Sequence, residues 1–208
     1  MTVTHVTLPL VRHKLGLLRD VETDTEMFRR LVNELTLLLT YEATKDLALE
    51  PVEVETPLER TKAERIPGKK IAACPILRAG IGMLDGVLSL IPVARVGFIG
   101  LYRNEETLEP VEYYVKLPAD IAVRDVLLLD PMLATGNSTA AAVAILERAG
   151  AKHITQISLI AAPEGVAHVQ RECPDVHIVV ASIDSHLNEK GYIVPGLGDA
   201  GDRLYGTK

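Results

Sequence analysis

The chain has 208 residues, 48% of them hydrophobic, with 28 acidic against 22 basic residues and a formal net charge of -6. That balance excludes a disordered chain and suits one domain spanning 1–208 that can bury a continuous core. Lacking a Lys/Arg stripe and any tryptophan, it offers neither the charge nor the stacking surface of a general nucleic-acid binder, so nucleic acid is an unlikely partner. Two cysteines without CxxC spacing give no support to a zinc or disulfide framework. With no h-region and no long apolar run, the expectation is a cytoplasmic protein with no membrane partner.

In chain order, Val11 to Leu18 reads as a short helix. Thr23 and Glu26 have the spacing of a capping box, and Met27, Leu31, Leu35 and Leu38 recur at helical spacing. Asp24 to Lys45 is therefore predicted as a helix with one apolar face, completing an N-terminal helical region over about residues 1–50. Pro51 to Glu55 alternates as a brief strand. From Lys70 onward short apolar runs alternate with helical segments: strands at 71–74, 94–99, 125–130, 154–161 and 177–182, with helices at 81–89, 138–149 and 164–172. This rhythm predicts an α/β fold with a largely parallel central sheet flanked by helices. Only Leu101 to Pro118 breaks it, where charged residues and Pro110 precede an alternating run and read as a flap or hairpin.

The chemistry concentrates in VLLLDPMLATGNST, Val126 to Thr139. Its apolar run is a central strand, and Asp130 ends that strand, where open α/β sheets place their ligands. Thr135, Gly136, Asn137, Ser138 and Thr139 then enter a helix whose unpaired N–H groups and positive dipole end suit a phosphate. Gly136 allows close approach and an unusual backbone angle. An ordinary Ser/Thr N-cap is the competing reading of the same residues. No GxxxxGK[ST] occurs, which rejects a Walker A loop, and GLGDAG at 196–201 lies too near the chain end for a dinucleotide-binding helix to follow.

The elbow resembles the phosphoribosyl diphosphate (PRPP) signature of the type I phosphoribosyltransferases, with Pro131 where most of that superfamily has a second acid. This form, together with PILRAGIGM at 75–83, LYRNEETLEPVEYY at 101–114 and GYIVPGLGDAGDRLYGT at 191–207, is similar to the uracil phosphoribosyltransferase family over nearly the whole chain. The sequence departs at Asn137, where that family commonly has glycine.

The resemblance implies conversion of uracil and PRPP to UMP and diphosphate in pyrimidine salvage. Under it, Pro131, Met132, Leu133, Ala134, Thr135, Gly136, Asn137, Ser138 and Thr139 form the PRPP loop, and Asp130 faces the ribose hydroxyls. Arg78 and Arg103 contact the diphosphate, Arg103 from the flap. Ile193, Gly198, Asp199 and Ala200 line the uracil pocket within the C-terminal segment 191–207, and Asp199 also borders PRPP. Arg103, Asp130 and Asp199 are the catalytic candidates. Mg2+ is expected to arrive mainly on PRPP, with no protein residue assigned as a metal ligand. A GTP effector, and a homodimer or higher homo-oligomer, are further implications. A phosphoribosyltransferase for another base, and a regulatory RNA-binding protein on the same fold, remain the alternatives.

Overall fold

The computed structural model describes residues 2–67, 70–103 and 110–207, with the Arg103 side chain outside the described part. In chain order the elements are β1 (Val3–His5), α1 (Pro9–Arg19), α2 (Thr25–Ala43), β2 (Glu50–Glu55), β3 (Arg60–Arg65), β4 (Ile71–Leu77) and α3 (Ile81–Leu90). There follow β5 (Arg95–Val96), β6 (Phe98–Arg103), β7 (Pro110–Lys116), β8 (Asp125–Leu129), β9 (Met132–Leu133) and α4 (Asn137–Arg148). The chain ends with β10 (His153–Ala161), α5 (Pro163–Glu172), β11 (His177–Ile183), β12 (His186–Leu187), β13 (Ile193–Val194) and α6 (Ala200–Tyr205).

The main sheet runs β1-β11-β10-β8-β4-β6-β7 and is parallel apart from the β6–β7 hairpin. Alternation along its central strands sorts their side chains between two cores. Ile71, Ala73, Leu127 and Leu129 face the layer holding α1, α2, α3 and α6, while Ala72, Cys74, Val126 and Leu128 face α4 and α5. Burial on both faces explains why these strands read as continuous apolar runs. Among the described residues no helix is long and apolar enough to cross a membrane.

Several sequence expectations need correction. The N-cap of α2 is Asp24, whose Oδ1 accepts the Met27 N–H at 2.8 Å. Thr23 instead donates its hydroxyl to Leu17 O at 2.6 Å, so the Thr23/Glu26 capping box does not form. A carboxylate one residue later takes the same orphan donors more favourably, having charge as well as a lone pair. The strand at 71–74 continues to Leu77, and the run at 94–99 breaks at Gly97 into β5 and β6. Pro51 to Glu55 is one arm of an antiparallel hairpin whose other arm is β3; it pairs Glu50 with Arg65 and Glu53 with Lys62. The flap at 101–118 is a hairpin, as expected, though its residues 104–109 lie outside the described part.

The start of α5 fixes the loop that follows β9. A Cβ on Gly165 would stand 2.2 Å from Ala134 O and 2.9 Å from Leu133 O, so only glycine lets the helix backbone lie against that loop. Gly165→Ala is expected to displace the loop and destabilise the fold by about 1–3 kcal/mol. A denaturant midpoint equal to that of the parent chain would contradict this packing.

Candidate active site

Parallel neighbours β4, β8 and β10 end at one edge of the sheet. Register pairs Pro75 with Leu129 and Leu129 with Ile157, so the chain leaves β4 at Arg78 and β8 at Asp130 side by side. Arg78 is exposed, and its guanidinium makes no ion pair among the described residues. Its peptide bond with Leu77 is cis, and Tyr205 donates its hydroxyl to Arg78 O at 2.9 Å. Behind it, a Cβ on Gly80 would lie 2.4 Å from Leu129 O, which holds the β4 loop tightly against the end of β8.

Asp130 is half-buried and its Oδ1 accepts the Met132 N–H at 3.3 Å. Burial pushes its carboxyl up to about 7, against the opposing effect of that N–H. A carboxylate held this way meets a ligand hydroxyl or cation with little water to displace. Pro131 is buried and its carbonyl accepts the N–H groups of Leu159 and Ile160 at 3.0 and 3.2 Å, so the loop stays stitched to β10.

Gly136 stands at φ +85° as the N-cap of α4, with no side-chain cap bond. The Ser/Thr N-cap reading therefore fails. Thr135 Oγ1 reaches the Asn137 N–H only at 3.4 Å, and the first N–H groups of α4 remain available to an anion, as the phosphate-cradle reading requires. A side chain at 136 would also strike Gly165 O at 2.9 Å. Within the loop, Met132, Ala134, Thr135, Asn137 and Ser138 are half-buried, whereas Leu133 and Thr139 are buried. Leu133 packs into the core, so its side chain is not open to a ligand.

Over this loop sits the C-terminal segment. The strands β12 and β13 form a small antiparallel pair, Val194–Pro195 is cis, and Gly191, Gly196 and Gly198 all have positive φ. A cavity of about 240 Å3 lies between the two, lined by Met132 and Ala134 on one side and Lys190, Gly191, Tyr192, Ile193 and Asp199 on the other. It brings together residues expected for PRPP and for uracil. Gly198 lines an adjoining cavity that shares Asp199 and Tyr192. Ala200 is fully buried in the core, so its side chain does not line the pocket as expected. Asp199 caps α6, its Oδ1 accepting the Asp202 N–H at 2.9 Å.

Lys190, Tyr192 and Tyr205 were not anticipated at the site. Their only signal is position, Tyr192 and Tyr205 within the glycine-rich block and Lys190 just before it, since nothing in residue type separates them from surface residues. Arg103 ends β6 opposite Pro110, and its side chain lies outside the described part. Among the described residues no group of three or more His, Cys, Asp or Glu could hold a metal.

Known proteins carry the same features. A family model described as uracil phosphoribosyltransferase matches residues 5–207. Uracil phosphoribosyltransferases of Clostridium botulinum are similar along their whole length, that of strain Hall at 60% identity over 99% of both chains and that of strain Eklund 17B at 61% over the same share. A solved protein structure from Aquifex aeolicus superposes with a TM-score of 0.94 at 41% identity, covering 98% of each chain. A hypoxanthine phosphoribosyltransferase of Trypanosoma cruzi, at 13% identity and a TM-score of 0.52, shares the fold. A family model matched over residues 5–207 and relatives about 60% identical along nearly their whole length show that the chain belongs to the uracil phosphoribosyltransferase family.

Proposed function

We propose that this chain transfers the phosphoribosyl group of PRPP to N1 of uracil, giving UMP and diphosphate in pyrimidine salvage. The observation that carries the reading is the single cavity in which the phosphate loop, through Met132 and Ala134, meets Ile193 and Asp199 of the C-terminal segment. Apolar Met132 and Ala134 facing Tyr192 and Ile193 suit a flat ring held beside the start of the loop that carries the sugar phosphate.

In this reading the 5'-phosphate lies on the free N–H groups at the start of α4, where the helix dipole also favours negative charge. Asp130 accepts hydrogen bonds from the ribose hydroxyls. Arg78, and Arg103 from the flap, stabilise charge developing on the departing diphosphate, so that C1' gains oxocarbenium-like character as N1 attacks the opposite face and releases its proton to water beside Asp199. A magnesium would be held mainly by the phosphate oxygens of PRPP, with Asp130 helping to orient it without serving as its ligand. When bound, that ion neutralises diphosphate charge. Asp199 commits one oxygen to capping α6 and borders the base with the other. Backbone groups of the glycine block read O2, N3–H and O4, and cytosine leaves mismatched buried groups.

Purified protein supplied with magnesium, PRPP and separately uracil, cytosine, orotate, hypoxanthine or guanine is expected to form UMP from uracil. Dominant transfer to another base would reject the base assignment, and no transfer to any base would reject the reaction.

Asp130 gives a pH-dependent test. Between its ordinary value of 3.8 and about 7, the folded chain keeps a proton that the unfolded chain has released, so its contribution to stability falls as pH rises through that window. Asp130→Asn removes this cost. The variant should melt above the parent at pH 8, with the gap closing toward pH 4, while losing transfer activity by about 10- to 100-fold. The same melting difference at both pH values, or full activity, would contradict the assignment.

A further inference from the structure

Met132, Tyr192 and Ile193 line the base pocket beside Lys190 and Asp199, and its C-terminal wall runs through Gly191, Gly196 and Gly198, where only peptide groups are present to read a ring. A peptide group cannot be re-aimed by a rotamer change, and its position must be imposed from outside. Arg19, remote in sequence, and Arg203, from the same C-terminal segment, impose it here.

Arg19, the last residue of α1, grips Asp184 with both ends of its fork: Nη1 donates to Oδ2 at 2.8 Å and Nη2 to Oδ1 at 2.5 Å. The same Nη1 donates to Gly196 O at 2.5 Å, and Nη2 donates to Ser182 Oγ at 3.1 Å. Asp184 in turn accepts the Gly196 N–H at 2.9 Å and the Ser182 hydroxyl at 2.8 Å. The Gly196 residue is thus held by its N–H and its carbonyl at once. Its Asp184 side chain is 2% exposed. Burial raises the carboxyl's pKa, and Arg19, Ser182 and the Gly196 N–H more than offset this, leaving it below the usual carboxylate value.

The next carbonyl is held by the second arginine. Arg203 Nη1 donates to Leu197 O and to Leu18 O, both at 2.9 Å, while Nη2 donates to Asp20 O at 2.6 Å. Its guanidinium carbon lies 4.4 Å from the centroid of the buried Phe28 ring. Consecutive carbonyls at 196 and 197 are therefore tied to the same short stretch, Leu18 to Asp20, at the end of α1.

We propose that Arg19 and Asp184 are positioning residues for the base: their ion pair sets the Gly196 backbone, and through it the peptide groups between Ile193 and Asp199, at the spacing that uracil requires. The proposal rests on the assignment of that segment to the base. The phosphate loop is held by β10 through Pro131 O and by α5 through Gly165, and among the described residues no side-chain hydrogen bond of Arg19 or Asp184 reaches it. Losing the clasp should consequently weaken uracil and spare PRPP. A general role in stability would weaken both.

Steady-state constants for each substrate at saturation of the other make the test. Asp184→Asn and Arg19→Gln are expected to raise KM for uracil about tenfold while KM for PRPP stays within about twofold. Arg19→Lys, which keeps the charge but not the fork, carries the test if those variants do not fold, with an expected rise of about threefold. An unchanged uracil KM in a folded variant, or parallel rises in both constants, would overturn the proposal. Amide resonances of the parent chain during UMP titration separate the two layers of the claim. Shifts at Ile193 and Gly198 support the pocket, so that unmoved kinetics would then count against the clasp alone. Without those shifts the base assignment itself falls, and the clasp proposal with it.

Discussion

The parallel pairing of β8 between β4 and β10 is the constraint on which the rest depends. With both faces of these strands buried against helices, the polar groups open to a ligand collect where the chain leaves the sheet. Register then decides which groups meet: Pro75 beside Leu129 and Leu129 beside Ile157 bring the exits of three strands to one edge. Arg78, Asp130 and the phosphate loop are neighbours for that reason. Close backbone contacts preserve the arrangement, since Gly80 and Gly165 leave no space for even a methyl group against Leu129 O and Ala134 O.

On this edge the two halves of the site are built differently. The sugar-phosphate half uses a helix start and a charged side chain, general devices for holding an anion and a polyol. The base half uses backbone held by a buried ion pair and by an arginine stacked on an aromatic ring. A bidentate Arg–carboxylate pair gives geometric specificity as well as energy, and here the same fork also takes a backbone carbonyl. The N-terminal helices consequently do more than cover the sheet, because the end of α1 is tied to the C-terminal segment at Gly196 and Leu197.

Legibility in the sequence followed the same physics. The elbow at 126–139 was readable because an apolar run, a strand-end acid and a glycine at the helix entry each have a local cause, and Gly136 does take the left-handed angle. Family resemblance carried the C-terminal block further than spacing could. The β2–β3 hairpin was half missed because it is largely exposed and pairs charge with charge, so β3 lacks the apolar alternation that marks a strand. Asp24 was overlooked as a cap because Thr23 satisfied the motif one residue earlier. Arg19 and Asp184 left no local trace at all: 165 residues separate them, and only the folded chain shows that one completes the other.

The most direct measurement of the account is a crystal structure with UMP bound. The phosphate oxygens should lie within hydrogen-bonding distance of the N–H groups from Gly136 to Thr139. The ring should occupy the cavity between Met132 and Ile193, meeting backbone groups of the glycine block. A ring bound elsewhere, or a phosphate away from the start of α4, would contradict the site as described.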